Sequence, residues 1–341
     1  MKKSLFAILA VAACFASCSK VVESSVVDKT ISFNNYLAND ATTRASIISK
    51  TLKNLDTVHV NAFLHPITEL TTAESQSFLP NFMNAQSVDT LGNYSPYKYW
   101  PASDQVIDFV AWVPVSNATV NNAELTFSVP TDVKAQQDLI VAAPQLNKNN
   151  AELPEGQQDV NLVFSHLLSR IGFQINSKSI PNPEQDSETT VELDYINVKG
   201  SFASQGKVNL LAAEPTVVGT EAQVEYKLTG QHFGYKDSLI VSGNASTKNL
   251  EDSYIMLIPT ANHQPDSISI QYIVRTKNGT ENKADDTLIK NHASFPLTTK
   301  FEAGKAYRYV FSISMNAISF KVEEDTWDPE TETPLNNNKN E

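Results

Sequence analysis

Residues Val160–Ile175 read Val-Asn-Leu-Val-Phe-Ser-His-Leu-Leu-Ser-Arg-Ile-Gly-Phe-Gln-Ile. Apolar residues alternate at positions 160, 162 and 164, lose that spacing between Ser165 and Arg170, and alternate again at positions 171, 173 and 175. A period of two places successive side chains on opposite faces of a β-strand. The stretch therefore predicts two strands, joined either by a helical turn or by a crossing between two β-sandwiches.

The same period of two recurs on both sides of this stretch and predicts an all-β protein. Prolines directly after several of the runs mark strand ends, because proline cannot donate a hydrogen bond to the ladder. A change of phase between Tyr195 and Ile196 predicts a β-bulge. Further strands are predicted at Val58–Leu64, Val106–Val113, Leu125–Val129, Leu139–Ala143, Val191–Val198, Tyr254–Ile258, Ile268–Val274 and Tyr307–Ile313.

We group these strands into two tandem β-sandwich domains, residues 45–165 and 166–327. Short strands separated by turn residues are typical of sandwiches, and a chain of 341 residues is long enough for about two cores. Residues 328–341 are acidic and rich in asparagine, so we expect a disordered tail.

Residues 1–17 have the pattern of a lipoprotein signal peptide. Met1-Lys2-Lys3 is basic, Leu5 to Cys14 is almost entirely apolar, and Ala16-Ser17 supplies small residues before Cys18. The apolar run is too short for a membrane span, which needs about 20 residues. We expect lipid on the Cys18 thiol after cleavage, which would tether an exported chain to a bacterial membrane. Cys14 is the alternative lipidation site.

Charge and cysteine content exclude several classes of partner and site. The net charge is −12, and the loss of Lys2 and Lys3 with the signal peptide makes it −14. Nucleic acids and anionic lipid surfaces require a basic footprint, so the acidity favours a protein or a glycan as partner. Cys14 and Cys18 are the only cysteines in the sequence, so we expect neither a disulfide nor a thiolate metal site in the folded part.

Residues 18–44 form a polar linker that contains one short apolar alternation, Ile31-Ser32-Phe33. The linker is either a disordered stalk or a removable propeptide strand. The alternation is what distinguishes the two interpretations, because a stalk does not require apolar residues at a spacing of two.

No arrangement of residues predicts catalysis, so we expect no enzyme activity, no metal and no cofactor. The six histidines show no metal-binding spacing such as HExxH, and neither a GxSxG elbow nor a glycine-rich phosphate loop occurs. Carboxylate pairs such as Asp285-Asp286 fall in loop-like segments. A hydrolase with two carboxylates facing across a cleft stays open as a third interpretation.

Four aromatic residues cluster at Tyr94, Tyr97, Tyr99 and Trp100. Such rings can stack on sugars, because they offer a large rigid surface with a polar tip. Pro96 and Pro101 bracket the cluster, which favours the other interpretation, that the rings fill the interior of a sandwich.

Short segments spread along nearly the whole chain form a recognisable series. They are Cys18-Ser19-Lys20, Ile31-Ser32-Phe33, Thr42–Ala45, Asp108–Pro114, Asp138–Pro144, Phe164–Ile171, Tyr254–Pro259, Ala303–Tyr309 and Trp327. By this series the chain resembles the Bacteroidales fimbrillin family, which comprises type V fimbrial subunits and fimbrillin-like lipoproteins. Phe164–Ile171 is the most specific internal match.

The resemblance implies two transthyretin-like, Greek-key sandwiches and an outer-membrane lipoprotein precursor that a surface protease cuts after an arginine. Arg44 matches that position and leaves Ala45 as the new N terminus, although Arg44 also suits an ordinary linker. Removal of the strand around Ile31 and Phe33 would uncover unpaired backbone groups and an apolar groove for a strand of the next subunit. The expected donor is the C-terminal alternating segment, Tyr307–Val322.

The expected function is therefore a structural subunit or adhesin of type V fimbriae, placed at the cell outer membrane and in the extracellular fimbrium. Its expected partners are other fimbrial subunits through strand exchange, an arginine-specific surface protease, the outer membrane through the lipid anchor, and a host protein or glycan. The alternative is a non-polymerising, lipid-anchored surface protein that binds glycans through the aromatic cluster. The motifs do not separate shaft, tip and anchor roles.

Overall fold

A computed structural model describes residues 30–37, 57–69, 79–89, 91–101, 104–149, 159–177, 189–229, 239–240, 247–249, 254–259, 265–277, 286–314 and 318–325. The prediction of an all-β chain is confirmed, since within these ranges a single 3-10 turn, Val133–Ala135, is the only helical element. No helix in the described part is long and apolar enough to cross a membrane. The strands are β1 (Ser32–Leu37), β2 (Val58–Pro66), β3 (Met83–Val88), β4 (Gln105–Trp112), β5 (Ala118–Asn121), β6 (Glu124–Ser128), β7 (Ile140–Ala142), β8 (Gln145–Lys148), β9 (Asp159–His166), β10 (Ser169–Ser177), β11 (Thr189–Asn209), β12 (Val217–Thr229), β13 (Leu239–Ile240), β14 (Thr247–Asn249), β15 (Ile255–Leu257), β16 (Pro265–Thr276), β17 (Thr287–Phe295), β18 (Ala306–Ile313) and β19 (Ile318–Asp325).

The first sheet has the strand order β1-β9-β7-β4-β2-β3, with β8 also paired to β4. Its central strand, β4, is buried on both faces, as its nearly continuous apolar sequence requires. The one acidic residue in β4, Asp108, is fully buried and accepts hydrogen bonds from the backbone N–H of Asn147 at 2.6 Å and from His65 at 3.1 Å. A buried carboxylate needs such partners, and here they join β2, β4 and β8.

The chain crosses from the first sheet to the second at the break within the 160–175 stretch. β9 ends at His166 and β10 begins at Ser169, so the two intervening leucines, both buried, make the whole connection. The connection changes sheets without a helical turn, so the helical alternative is wrong, while a crossing between two separate sandwiches stays a prediction. Leucine at both positions explains the lost alternation, because the chain packs into the core while it changes sheets.

The second sheet has the order β14-β10-β18-β19, with β15 also paired to β10, and the third has the order β17-β16-β11-β6-β5, with β12 and β13 also paired to β11. One core lies between these two sheets. The 21-residue β11 extends beyond it and pairs through Gln205–Asn209 with β6, which packs on the first sheet. The predicted bulge is confirmed by a register shift between Leu193 and Tyr195 against β16.

The division into tandem transthyretin-like domains at residues 165 and 166 stays a prediction. The junction of β9 and β10 falls at that point, while the third sheet contains strands from both sides of it. The two segments are therefore joined by a shared sheet as well as by the chain.

Candidate functional site

Strand β1 forms the edge of the first sheet and is the described strand that precedes Arg44 in the sequence. It runs parallel to β9, and its ladder extends from Ser32 opposite Asp159 to Leu37 opposite Phe164. The two apolar residues of the predicted alternation, Ile31 and Phe33, are only 1% and 2% exposed. An edge strand can leave a sheet without breaking other strand pairs, but this one takes core side chains with it.

Aromatic rings form the floor beneath β1. The ring of Phe33 lies 5.4 Å from that of Tyr94 and 5.7 Å from that of Phe109, and Trp100 packs edge-on against Phe109 at 5.9 Å. The hydroxyl of Tyr94 donates a hydrogen bond to the carbonyl oxygen of Ile31 at 2.9 Å. Burial raises the pKa of Tyr94. The inward side chains of β1 lie in the space between β9 and the segment of residues 89 and 91–100. We call this space the β1 slot.

Residues 89 and 91–100 form the second wall of the β1 slot. The backbone N–H of Ile31 donates to the carbonyl of Lys98 at 2.8 Å, and Thr30 forms an antiparallel bridge with Tyr99. Gly92 has a φ of +87°, and a Cβ atom at this position would overlap the carbonyl oxygen of Phe33. Only glycine therefore lets the wall approach β1 this closely.

The turn around Gly92 is held by the carboxylate of Asp89. This carboxylate accepts hydrogen bonds from the backbone N–H groups of Leu91 and Asn93 at 2.9 and 2.8 Å and from the Asn93 side chain at 2.9 Å. Burial alone would raise the pKa of Asp89, but these hydrogen bonds outweigh it and lower the pKa. An ionised Asp89 thus keeps the second wall in place at neutral pH.

The outward face of β1 is tied to β9 by polar side chains. Ser32 donates to the carboxylate of Asp159, and Asn34 donates to Asp159 at 3.1 Å and to the side-chain oxygen of Asn161 at 3.2 Å. The third inward position, Asn35, is buried; its side-chain nitrogen donates to the carbonyl of Asp89 at 3.0 Å, while its Oδ1 atom has no hydrogen-bond partner. The resident strand therefore fits the β1 slot poorly at this one position.

The four aromatic residues predicted as a stacking cluster divide between two environments. Tyr94 and Trp100 are buried in the floor of the β1 slot, which is the interior packing that the flanking prolines favoured. Tyr97 and Tyr99 are 60% and 50% exposed. Ligand stacking stays a prediction. Of the four residues, Tyr97 and Tyr99 are the two whose rings are exposed enough to stack on a ligand.

The predicted modification sites Cys18, Cys14, Arg44 and Ala45 lie outside the described residues. The structure does narrow the predicted donor segment Tyr307–Val322. Its first part is β18, which lies between β10 and β19 with Tyr309, Phe311 and Ile313 buried, so it cannot leave without opening the core. Its second part lies in β19, the edge strand of the second sheet.

The described residues show no grouping that points to metal binding. They contain no cluster of three or more histidine, cysteine, aspartate or glutamate side chains able to hold a metal ion. Besides the His65–Asp108 pair, His166 contacts Asp138 and so ties the end of β9 to the segment that precedes β7. The first pair connects two neighbouring strands and the second connects a strand to a loop, which is a structural role.

The β1 slot is built by segments that follow residue 43 in the sequence. All of these segments lie within one region that matches a known protein family. The family model described as fimbrillin-like matches residues 43–327. This chain belongs to the Bacteroidales fimbrillin family. Because the match covers most of the chain, the fimbrillin fold includes both walls of the β1 slot, while β1 itself lies before the matched range.

Two proteins that are similar to this chain extend this comparison. The chain is 24% identical over 313 residues to the fimbrium subunit Fim1C of Phocaeicola vulgatus, with 77% of this chain and 80% of that protein covered. A crystal structure of a fimbrial protein from Bacteroides vulgatus superposes with a TM-score of 0.64 at 20% identity and covers 88% of this chain and 100% of that one. At this level of identity the superposition supports the fold.

Sequence reasoning found β1 and two of its floor residues but missed the walls of the slot. Neither Asp159 nor Gly92 stood out in the sequence. Both act through contacts with residues about 60 or more positions away, which no local pattern records. The turn of Asp89, Gly92 and Asn93 was detectable as a turn from its composition, although its role was not.

Proposed function

We propose that this fimbrillin is a fimbrial subunit or adhesin that is exported as an outer-membrane lipoprotein precursor, cut after Arg44 and assembled by donor-strand exchange. The observation that carries the proposal is the position of β1. It lies N-terminal to Arg44 and yet contributes Ile31 and Phe33 to the core of a sheet that otherwise begins after Arg44.

A cut after Arg44 would sever the only covalent link between β1 and the rest of the sheet. Loss of β1 would then uncover the backbone edge of β9 and two cavities that Ile31 and Phe33 fill. An exposed edge next to apolar cavities is unstable in water, and a strand from another subunit can satisfy both. The cut would convert a self-contained precursor into a subunit that requires a partner.

The distribution of arginines supports a selective cut. The chain contains four, Arg44, Arg170, Arg275 and Arg308. The last three lie in strands β10, β16 and β18, where Arg170 sits over the ring of Tyr254, Arg275 pairs with Glu192 and Asp286, and Arg308 pairs with Asp325. A protease needs an accessible, extended substrate, which a paired strand residue does not offer. An arginine-specific surface protease would therefore meet one suitable site.

The remaining partners follow from the same proposal. Lipid on Cys18, or on Cys14, would hold the precursor at the outer membrane, and trimming after Arg44 would release the folded part from that anchor into an extracellular fimbrium. The named function of Fim1C as a fimbrium subunit supports this assignment. A host protein or glycan would be the adhesion ligand.

One observation favours a second candidate, a lipid-anchored surface protein that binds glycans without polymerising. Tyr97 and Tyr99 expose ring surface next to the β1 slot, and such rings suit sugar stacking. In this alternative β1 is a permanent strand and the linker a stalk.

The experiment that tests the proposal is limited digestion of the protein expressed from residue 19 onwards with an arginine-specific protease, followed by intact mass and a non-boiled gel. We expect a single cut after Arg44 and an SDS-resistant ladder. Arg44→Gln is the matched control and should give neither. A cut without a ladder would contradict self-assembly, and the absence of a preferred cut would favour the glycan-binding alternative.

A further inference from the structure

β1 lies on the same side of Arg44 as Cys18 does. A cut after Arg44 therefore leaves one fragment that contains both the predicted lipid attachment site and the strand that fills the β1 slot. Arg44 follows Leu37, the last residue of β1, by seven positions. The cut breaks a peptide bond outside β1, so it removes none of the contacts that β1 makes.

Backbone hydrogen bonds join β1 to two different segments. The ladder with β9 extends from Ser32 to Leu37. At the other end of the strand, the N–H of Ile31 donates to the carbonyl of Lys98 at 2.8 Å, and the carbonyl of Ile31 accepts from the hydroxyl of Tyr94 at 2.9 Å. β1 is thus bound to the sheet and to the second wall at once, and its departure must break both sets of hydrogen bonds.

Departure of β1 would also expose apolar surface on the strand and on its floor. Ile31 and Phe33 are almost fully buried, and the ring of Phe33 packs against the rings of Tyr94 and Phe109. These surfaces would meet water as soon as β1 left, which costs free energy in proportion to the apolar area exposed. The state without β1 is therefore high in free energy, and β1 should leave slowly.

The second wall adds a barrier of its own. Gly92 lies so close to β1 that a Cβ atom there would overlap the carbonyl oxygen of Phe33. The carboxylate of Asp89 fixes this turn by accepting hydrogen bonds from the N–H groups of Leu91 and Asn93 at 2.9 and 2.8 Å. Movement of β1 past Gly92 requires the turn to shift, which slows departure further.

The cut changes the return of β1 and not its departure. In the uncut chain the linker keeps a detached β1 near the slot at a high effective concentration, so β1 rebinds quickly. After the cut a detached β1 diffuses away. The rate of detachment stays nearly the same, because the same contacts break in both cases.

We propose that β1 remains in the β1 slot after the cut and holds the trimmed subunit, without a covalent bond, to the lipid on Cys18. This inference rests on the proposed function and adds a second step to the release that begins with the cut. That step is the loss of β1, which opens the slot and frees the subunit from the membrane in one event. Because an exposed sheet edge is prone to unwanted pairing, the retained strand protects the subunit for as long as it is anchored.

A label on the fragment tests the retention of β1. Ser19→Cys in protein expressed from residue 19 gives a unique thiol for a maleimide dye, because the sequence has no cysteine after Cys18. The labelled protein is cut with an arginine-specific protease and passed over a gel-filtration column at intervals. Denatured intact mass shows the cut, and dye in the monomer peak measures bound β1. We expect the dye to leave this peak with a half-time of at least about one hour.

Three variants test whether the buried face of β1 causes the retention. Phe33→Ala should shorten the half-time by at least about tenfold, because the ring no longer packs on the floor of the slot. Asn34→Ala, on the outward face, is the matched control and should change it by less than about threefold. Ile31→Val is a smaller truncation that the fold should tolerate, and it should shorten the half-time by about two- to tenfold. Equal half-times in Phe33→Ala and Asn34→Ala would overturn the role of the slot.

The outcomes separate this inference from the proposed function. Absence of a cut after Arg44 would overturn the proposed function and this inference with it. A cut followed by dye in the small-fragment peak on the first column run would overturn the inference alone. Polymers that still carry the dye would show that assembly does not require β1 to leave, and would overturn its role in covering the slot.

A vesicle assay tests the anchor directly. Protein expressed from residue 18 is coupled through Cys18 to a diacyl maleimide lipid in phosphatidylcholine vesicles and cut with the same protease. The folded part should float with the vesicles after the cut, and Phe33→Ala should release it at least about tenfold faster than wild type. Immediate release of the wild-type folded part would overturn the non-covalent anchor.

Discussion

Strands β1 and β19 begin with the same three residues and occupy very different edges. β1 lies between two walls, so its Ile31 and Phe33 are core residues. Among the described strands β19 pairs with β18 alone, and its Ile318 and Phe320 are half-buried. The surroundings, and not the side chains, therefore decide whether an Ile-Ser-Phe strand is fully or only partly buried.

The two edges also differ in what holds their outer parts. β1 is held by the carboxylate of Asp159, which accepts hydrogen bonds from neutral side chains. β19 is held at its C-terminal end by ion pairs, Arg308 with Asp325 at 2.9 Å and Lys305 with Glu324 at 2.8 Å. Replacement of Asp159 should affect β1 alone, and replacement of the ion-paired residues should affect β19 alone. Each edge can therefore be tested separately.

The largest expected difference is between Phe33→Ala and Phe320→Ala in the uncut protein. Phe33 is buried between Tyr94 and Phe109, so its truncation should lower the free energy of unfolding by about 3–5 kcal/mol. Phe320 packs on Phe295 at 4.4 Å but is half-buried, so its loss should cost about 1–2 kcal/mol. Urea unfolding measures both. Equal losses of unfolding free energy in the two variants would contradict the difference in burial between Phe33 and Phe320.

The next effect concerns the glycine turns beside each edge. Gly92→Ala should lower the free energy of unfolding by about 2–3 kcal/mol, because a Cβ atom overlaps Phe33 and φ is positive. Gly304, in the turn before β18, is the matched control: its φ is +71°, but an added Cβ would lie 3.3 Å from the carbonyl oxygen of His166. Gly304→Ala should cost about 1 kcal/mol. Hydrogen exchange of the β1 amides should accelerate only in Gly92→Ala.

A smaller effect should appear at high pH, since a tyrosine next to each edge strand has a pKa that burial raises. Tyr94 lies under β1, and Tyr309 lies in β18 beside β19, where its ring stacks on Phe320. A phenol with a raised pKa holds its proton in the folded state, so stability is complete below pH about 10 and falls as the pH rises further. Urea midpoints at pH 8 and 11 should show a shallower fall for Tyr309→Phe than for the less buried Tyr94→Phe.

The smallest expected effect is that of salt. Ion pairs near a surface are screened at high ionic strength, whereas neutral hydrogen bonds to one carboxylate depend on it less. A rise from about 0.05 to 1 M NaCl should accelerate hydrogen exchange in β19 by about two- to fivefold and leave β1 nearly unchanged. Comparable acceleration in both strands would mean that the ion pairs of Asp325 and Glu324 do not hold β19.

Much of the fold was predictable from alternation. The runs at Val58–Leu64, Val106–Val113 and Leu125–Val129 correspond to β2, β4 and β6, and the phase change near Tyr195 corresponds to the bulge in β11. These features are local, because they depend on which side of a strand each residue faces. The pairing of β6 with β11 was not predictable, since its partners are about 80 positions apart and no local signal specifies the contact.

The site was predictable in part. The apolar residues of β1 and the aromatic cluster were visible separately, but that Phe33 rests on Tyr94 was not. The predicted donor segment Tyr307–Val322 includes both a central strand and an edge strand, because alternation looks the same in the two. Only sheet order separates β18 from β19.

The sequence by itself determined that the chain is built of strands, where most of them lie, that the family is fimbrillin, and that Ile-Ser-Phe occurs near both ends. These are properties of neighbouring residues and of composition, which the chain carries before it folds. The tertiary structure alone decided that one copy of the tripeptide is enclosed in a slot with a wall that only glycine can form and with an unsatisfied Asn35, while the other lies at a half-buried edge. Burial depends on what packs against a strand from distant parts of the chain, so identical residues acquire opposite roles only when the sheets assemble.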